Sequence, residues 1–178
     1  MPIAIAITMA ADPAGASPGD AEGLTVEVAV GLGNATVLGR PDDGPHPGVA
    51  PLIGALGLPL GSRFGLTVRW ASYLLPATVA DRREAFVASF VGAGALVWPH
   101  RDLLLGAAVG PALVWPAPFG SSPYLRANRG LGLSLRAGWA VGRAAAGDLL
   151  LGAELLPAFF DRGDLLIGAL VTAGLLWP

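Results

Sequence analysis

The chain has no cysteine, and although eleven of its residues are basic, not one is lysine. The first absence excludes disulfides and thiolate metal sites. Charge is scarce as well: Asp, Glu, Lys and Arg make up 13% of the 178 residues, against about 25% in ordinary soluble domains. A net charge of −2 provides no basic surface for nucleic acid. With 53% of its residues hydrophobic, the chain has too few charges to build a conventional water-facing surface. An apolar medium around the folded chain is the simpler expectation.

Glycine is abundant, and so is one repeated apolar unit. "DLLLGAAVGPALVWP" (Asp102–Pro116) and "DLLIGALVTAGLLWP" (Asp164–Pro178) run from an Asp through an apolar body to Trp-Pro, and "DLLLGAELLPAFF" opens the same way at Asp148. As a helix, the roughly 13 apolar residues would cover only about 20 Å of a hydrocarbon layer about 30 Å thick. As a tilted strand they reach about 30 Å and cross it.

Side-chain alternation also favours strands. In "FGLTVRWASYLL", Phe64, Leu66, Val68 and Trp70 share one face, with Gly65, Thr67, Arg69, Ala71 and Tyr73 on the other. "LTVEVAVGL" sets Leu24, Val26, Val28, Val30 and Leu32 against Thr25, Glu27, Ala29 and Gly31. "GLGLSLRAGWAVG" sets Leu131, Leu133, Leu135, Trp139 and Val141 against Gly132, Ser134, Arg136, Gly138 and Gly142. One face is continuous and greasy, while the other is small with occasional charge. So much glycine would weaken helices, but inside a narrow barrel it makes room for facing side chains.

Eight strands are predicted, at 24–38, 48–60, 64–75, 85–98, 103–115, 130–142, 149–160 and 165–177. "GSR", "PHRD" and "RAAAGD" are short connections. "GRPDDGPHP", "PATVADRRE" and "PAPFGSSPYLRANR" are longer ones between them, and "DRGD" is a short exception. Short turns at one end and longer loops at the other, with an even strand number, mark outer-membrane barrels. Two aromatic girdles are expected: Phe64, Trp98, Trp139 and Trp177 at the short-turn rim, and Phe86, Trp115 and Phe159 at the other. Residues 1–23, which include "MPIAIAITMA" and "ADPAGASPGDAEG", read as a disordered lead-in or a signal-peptide remnant before the barrel of 24–178.

In this pattern the chain resembles the small eight-stranded outer-membrane β-barrels of the OmpA/OmpX type over about residues 24 to 177. The resemblance implies an all-β, antiparallel, up-and-down transmembrane barrel in the outer membrane of a Gram-negative-type bacterium. It further implies roles from anchoring and adhesion to small-molecule passage, without selecting one. Two other architectures are less consistent with the residues. A soluble barrel or sandwich would expose faces with too little charge, and a helical membrane protein lacks uninterrupted runs of about 20 apolar residues.

Four charged residues fall well inside strands, all on small-residue faces: Glu27, Arg69, Arg136 and Glu154. Two acids and two bases in a narrow lumen are expected to form a neutral, paired, structural cluster, because a lone buried charge costs several kcal/mol. The remaining inner positions are apolar, so the lumen is expected either to pack closed or to accept a lipid or small hydrophobic molecule. No nucleophile lies near a histidine and an acid in any strand, so neither enzymatic activity nor a cofactor is expected. His46, near Asp42 and Asp43, reads as part of a solvated turn rather than a metal site, and His100 as a turn residue. The loop bearing Tyr124, Arg126 and Arg129 is the candidate contact for another envelope protein. The lipid bilayer is the other expected partner.

Overall fold

The computed structural model describes residues 24–38, 45–79, 82–116, 128–144, 147–161 and 163–177. They form eight strands: β1 (Thr25–Leu38), β2 (Pro45–Pro59), β3 (Phe64–Val79), β4 (Arg82–His100), β5 (Leu103–Pro116), β6 (Asn128–Ala144), β7 (Gly147–Phe160) and β8 (Leu165–Trp177). Each strand pairs antiparallel with its sequence neighbour, and β1 pairs with β8 from Val26↔Trp177 to Leu38↔Leu165, so the sheet is a closed ring. Closure gives every strand two partners and leaves no open edge.

Alternation sorts the side chains. Val30, Leu32, Leu66, Val91, Val109, Leu131 and Val171 point outward, while Ala29, Ile53, Ala71, Phe90, Leu156 and Leu170 are buried within. Glycines on the inner wall receive the large interior side chains. A Cβ on Gly48 would fall 2.5 Å from Leu75, and one on Gly132 would fall 2.8 Å from the ring of Phe90. One proline marks an irregular ladder: the β2–β3 register shifts between Val49 and Leu52, around Pro51, which has no N–H to donate.

The connections differ from expectation at two of the longer segments. In "GRPDDGPHP", read as a loop with His46 in a turn, Pro45, His46 and Pro47 belong to β2 and pair with Thr36, Ala35 and Asn34. "PATVADRRE" was expected as a loop, but β3 and β4 remain paired through Ala77↔Glu84 to Val79↔Arg82. Polar and charged side chains do not end a ladder that has two strands to share, and Thr78 and Val79 are good strand formers. Among the described strands β4, at 19 residues, is the longest. Among the described residues the β2–β3 turn is tight: Leu60 N donates to Phe64 O across it, and Gly61 has φ +141°. Gly163, at φ +82°, turns β7 into β8. A side chain is disfavoured at both positions.

Candidate functional site: the interior of the barrel

The interior has three layers. Toward the longer loops, Tyr73, Leu75, Phe86, Phe90, Phe160 and Leu170 belong to one buried apolar cluster. Toward the short turns, Leu96, Trp98, Leu104, Leu150 and Leu176 form a second. Between them lie Glu27 from β1, Arg69 from β3, Arg136 from β6 and Glu154 from β7, all buried.

The four charges meet across the ring. Arg69 donates from Nε to Glu154 Oε1 at 2.7 Å and from Nη2 to Glu154 Oε2 at 2.6 Å. Its Nη1 donates to Glu27 Oε1 at 3.5 Å. Glu27 also accepts from Nη1 of Arg136 through Oε2. Strands β3 and β7 are opposite one another in the ring, so the Arg69–Glu154 fork spans the lumen. The fork-on-fork geometry uses both carboxylate oxygens and is the strong form of the contact. Ser134 Oγ donates to Glu154 Oε1 at 2.7 Å. This fifth member was absent from the sequence-based set. The cue to it was parity: on β6 Ser134 shares a face with Arg136.

Arg136 and Glu154 are also directly opposed in the β6–β7 register. The side chains nonetheless reach past each other to partners on β1 and β3. A cavity of about 10 Å³ adjoins the cluster, bounded by Glu27, Arg69, Arg136, Thr172 and glycines of β6–β8. That is about the volume needed to seat one water. Arg136 Nε, Thr67 Oγ1, Tyr73 OH and Trp98 Nε1 are buried without a hydrogen-bond partner among the described residues. Those residues contain no cluster of His, Cys, Asp and Glu suited to a metal ion.

Two expected girdle residues are corrected. Trp98 is 3% exposed and Phe86 6%, against 60% for Phe64, so both point into the lumen rather than outward. On β4 the even positions face inward, and in "FVASFVGAGALVW" the one polar residue, Ser89, lies on the outward face with its Oγ 3.0 Å from Ser72 Oγ, so polarity does not mark the inward side. Phe159 and Trp139 face outward, and Trp115 and Trp177 are half-exposed. Trp139 stacks on His100 with ring centroids 6.3 Å apart.

Of the candidate partner loop, Tyr124 and Arg126 lie outside the described residues, as do Asp42, Asp43 and the lead-in 1–23. Arg129 is the second residue of β6 and donates from Nε to Asp161 at 3.1 Å, on the surface.

A closed eight-stranded meander with a filled interior and an apolar exterior is the architecture of small outer-membrane barrels, and its structural neighbours are of that kind. Neisserial surface protein A (NspA) matches with a TM-score of 0.63 at 16% identity, over 86% of this chain and 96% of that one. Ail, the attachment invasion locus protein of Yersinia pestis, matches with a TM-score of 0.60 at 12% identity, over 86% and 97%. Ail bound to the heparin analogue sucrose octasulfate matches at 0.55 and 16% identity, over 86% and 97%. No protein-family model and no curated protein matches the sequence.

Proposed function

We propose that the chain is a non-enzymatic outer-membrane protein of a Gram-negative-type bacterium, crossing the bilayer as a closed barrel and serving a structural, anchoring or partner-binding role. The observation that carries this reading is the inverted distribution of side chains. Leucines and valines cover the outside, while the charges are gathered, paired and capped on both sides within. Such an exterior suits acyl chains, and eight strands give a lumen that side chains can fill.

Two apolar layers stand between the charged belt and either mouth, which supports a closed lumen rather than a pore. Ions would have to displace Trp98 and Leu104 at one end and Phe86, Phe90 and Phe160 at the other. The belt acts as a set of cross-braces. A partner would then be engaged at the longer loops, where Tyr124, Arg126 and Arg129 are the candidate contacts. Attachment is named for Ail, a protein of similar fold, and is consistent with such a role.

Reconstitution in planar bilayers tests the reading. The expected record is a quiet membrane, and well-resolved conductance steps would overturn the closed-lumen assignment. Mass spectrometry of the purified protein tests the alternative, a carrier of a small hydrophobic molecule through the apolar lumen. That reading requires a bound compound that competes with filling side chains, and enlarging Leu104 to Trp would expel it.

A further inference from the structure

The outer surface of the barrel is unequal around its circumference. In β1–β3, Ala29, Ala35, Ala50, Ala55 and Ala71 all point inward, and the outer face is built from large residues such as Val28, Val30, Leu56 and Leu66. In β4–β8 alanine appears on the outside: Ala95, Ala107, Ala137, Ala153 and Ala169 are all exposed. They are neighbours in the sheet, with Ala95 paired to Ala107 and Ala137 to Ala153. Together they form the floor of an apolar groove of about 620 Å³, walled by Leu105, Leu135 and Leu155.

The groove leads to the short-turn rim. Two residues beyond Ala137 on the same face of β6 is Trp139, paired with Leu103 and stacked on His100. Next to it, in the β4–β5 turn, the Arg101 side chain is 77% exposed while its Nε contacts Asp102 at 3.4 Å. Exposed Arg63 lies on the other side of β4, held there by a hydrogen bond from Trp98 N to its carbonyl at 2.9 Å. An amphipathic aromatic and two arginines therefore lie along the short-turn rim beyond this end of the groove, with Asp102 as the acid next to Arg101.

We propose that this groove is a binding site for one anionic phospholipid of the leaflet at the short-turn end. The phosphate would lie between Arg101 and Arg63, the glycerol region beside Trp139, and one acyl chain along the alanine floor. The assignment rests on the bilayer-spanning reading given above. Charge complementarity selects the occupant: a second copy of the barrel would bring the same arginines to the contact, whereas a phosphodiester brings the opposite charge. The groove lets an acyl chain approach the backbone more closely than the valine-covered face of β1–β3 does. Closer approach increases dispersion contact, which is what holds a lipid in place when both surface and solvent are hydrocarbon.

Native mass spectrometry of the full chain tests this, after reconstitution into vesicles of equal phosphatidylglycerol and phosphatidylcholine and mild detergent extraction. Vesicle flotation and the heat-induced gel shift of a folded barrel are measured alongside. The wild type is expected to carry one phosphatidylglycerol. In Ala107→Leu/Ala137→Leu, whose new side chains fill the groove from outside, occupancy should fall about tenfold with flotation and gel shift unchanged. Arg63→Ala/Arg101→Ala should keep a lipid but lose the headgroup preference, and Val30→Leu on the opposite face should change nothing. Floating, folded protein with no adduct, with an adduct indifferent to these substitutions, or with a dimer in its place would overturn the site alone. Folded protein that fails to float would overturn the bilayer-spanning reading and the lipid site together.

Discussion

Arg69 and Glu154 sit on opposite strands of the ring and are joined by two hydrogen bonds of 2.7 and 2.6 Å across its lumen. Neither strand touches the other through the backbone. The pair ties together parts of the wall that the ladder connects only by way of three intervening strands on either side.

Removing one partner should therefore cost more than an ordinary surface contact. Arg69→Met leaves Glu154 charged and buried, and is expected to destabilise the barrel by about 3–5 kcal/mol. Arg69→Met combined with Glu154→Met should recover a large part of that loss, because no lone charge remains. Urea titrations followed by the gel shift of the folded form would measure both, and equal losses in the single and double variants would refute the cross-brace account.

The exterior pair Arg129–Asp161 provides the contrast. It is water-exposed, so Asp161→Asn should change stability by less than about 1 kcal/mol. Raising the salt to 1 M should remove even that difference.

Interior packing gives a third expectation. Gly132 faces Phe90 so closely that a Cβ would lie 2.8 Å from the ring. Gly132→Val should cost about 1–3 kcal/mol by overpacking. Phe90→Ala, which removes the ring, should cost about 3–5 kcal/mol. In Gly132→Val/Phe90→Ala, the added methyls would occupy part of the emptied space and the loss should be less than the sum. Strict additivity in thermal melts would show that the two positions do not face each other.

Fluorescence can separate the two kinds of tryptophan. Single-tryptophan variants retaining Trp139 should be quenched by lipids brominated near the headgroup. A variant retaining Trp98 should resist both those lipids and aqueous iodide, since its indole lies within the wall. Efficient quenching of Trp98 by brominated lipid would contradict its inward orientation.

The ring could be read from the residues because alternation is a local property. In β1, β3 and β6 one face is small or charged and the other large and apolar, so Glu27, Arg69 and Arg136 mark the inward side directly. On β4 both faces are largely apolar and the polar Ser89 faces outward, which misplaced Phe86 and Trp98. The continuation of β3 and β4 through Ala77↔Glu84 was hidden for a different reason. Composition reports the solvent around a segment, and these residues carry polar side chains although their backbone is still paired. Which charges meet was also not legible. Arg136 lies opposite Glu154 in the ladder yet binds Glu27, a choice set by the curvature and stagger of the closed wall rather than by sequence spacing.

The seam between β1 and β8, from Val26↔Trp177 to Leu38↔Leu165, joins the two strands furthest apart in the chain. Until β8 arrives, β1 has a bare edge and the ring is open. Closure must therefore wait for all eight strands, and contacts of such long sequence separation are slow to form. Deleting β8 would not give a seven-stranded version of the same object. It would leave two raw borders able to zip onto another chain, so the last strand determines whether the product is a sealed particle or a sticky one.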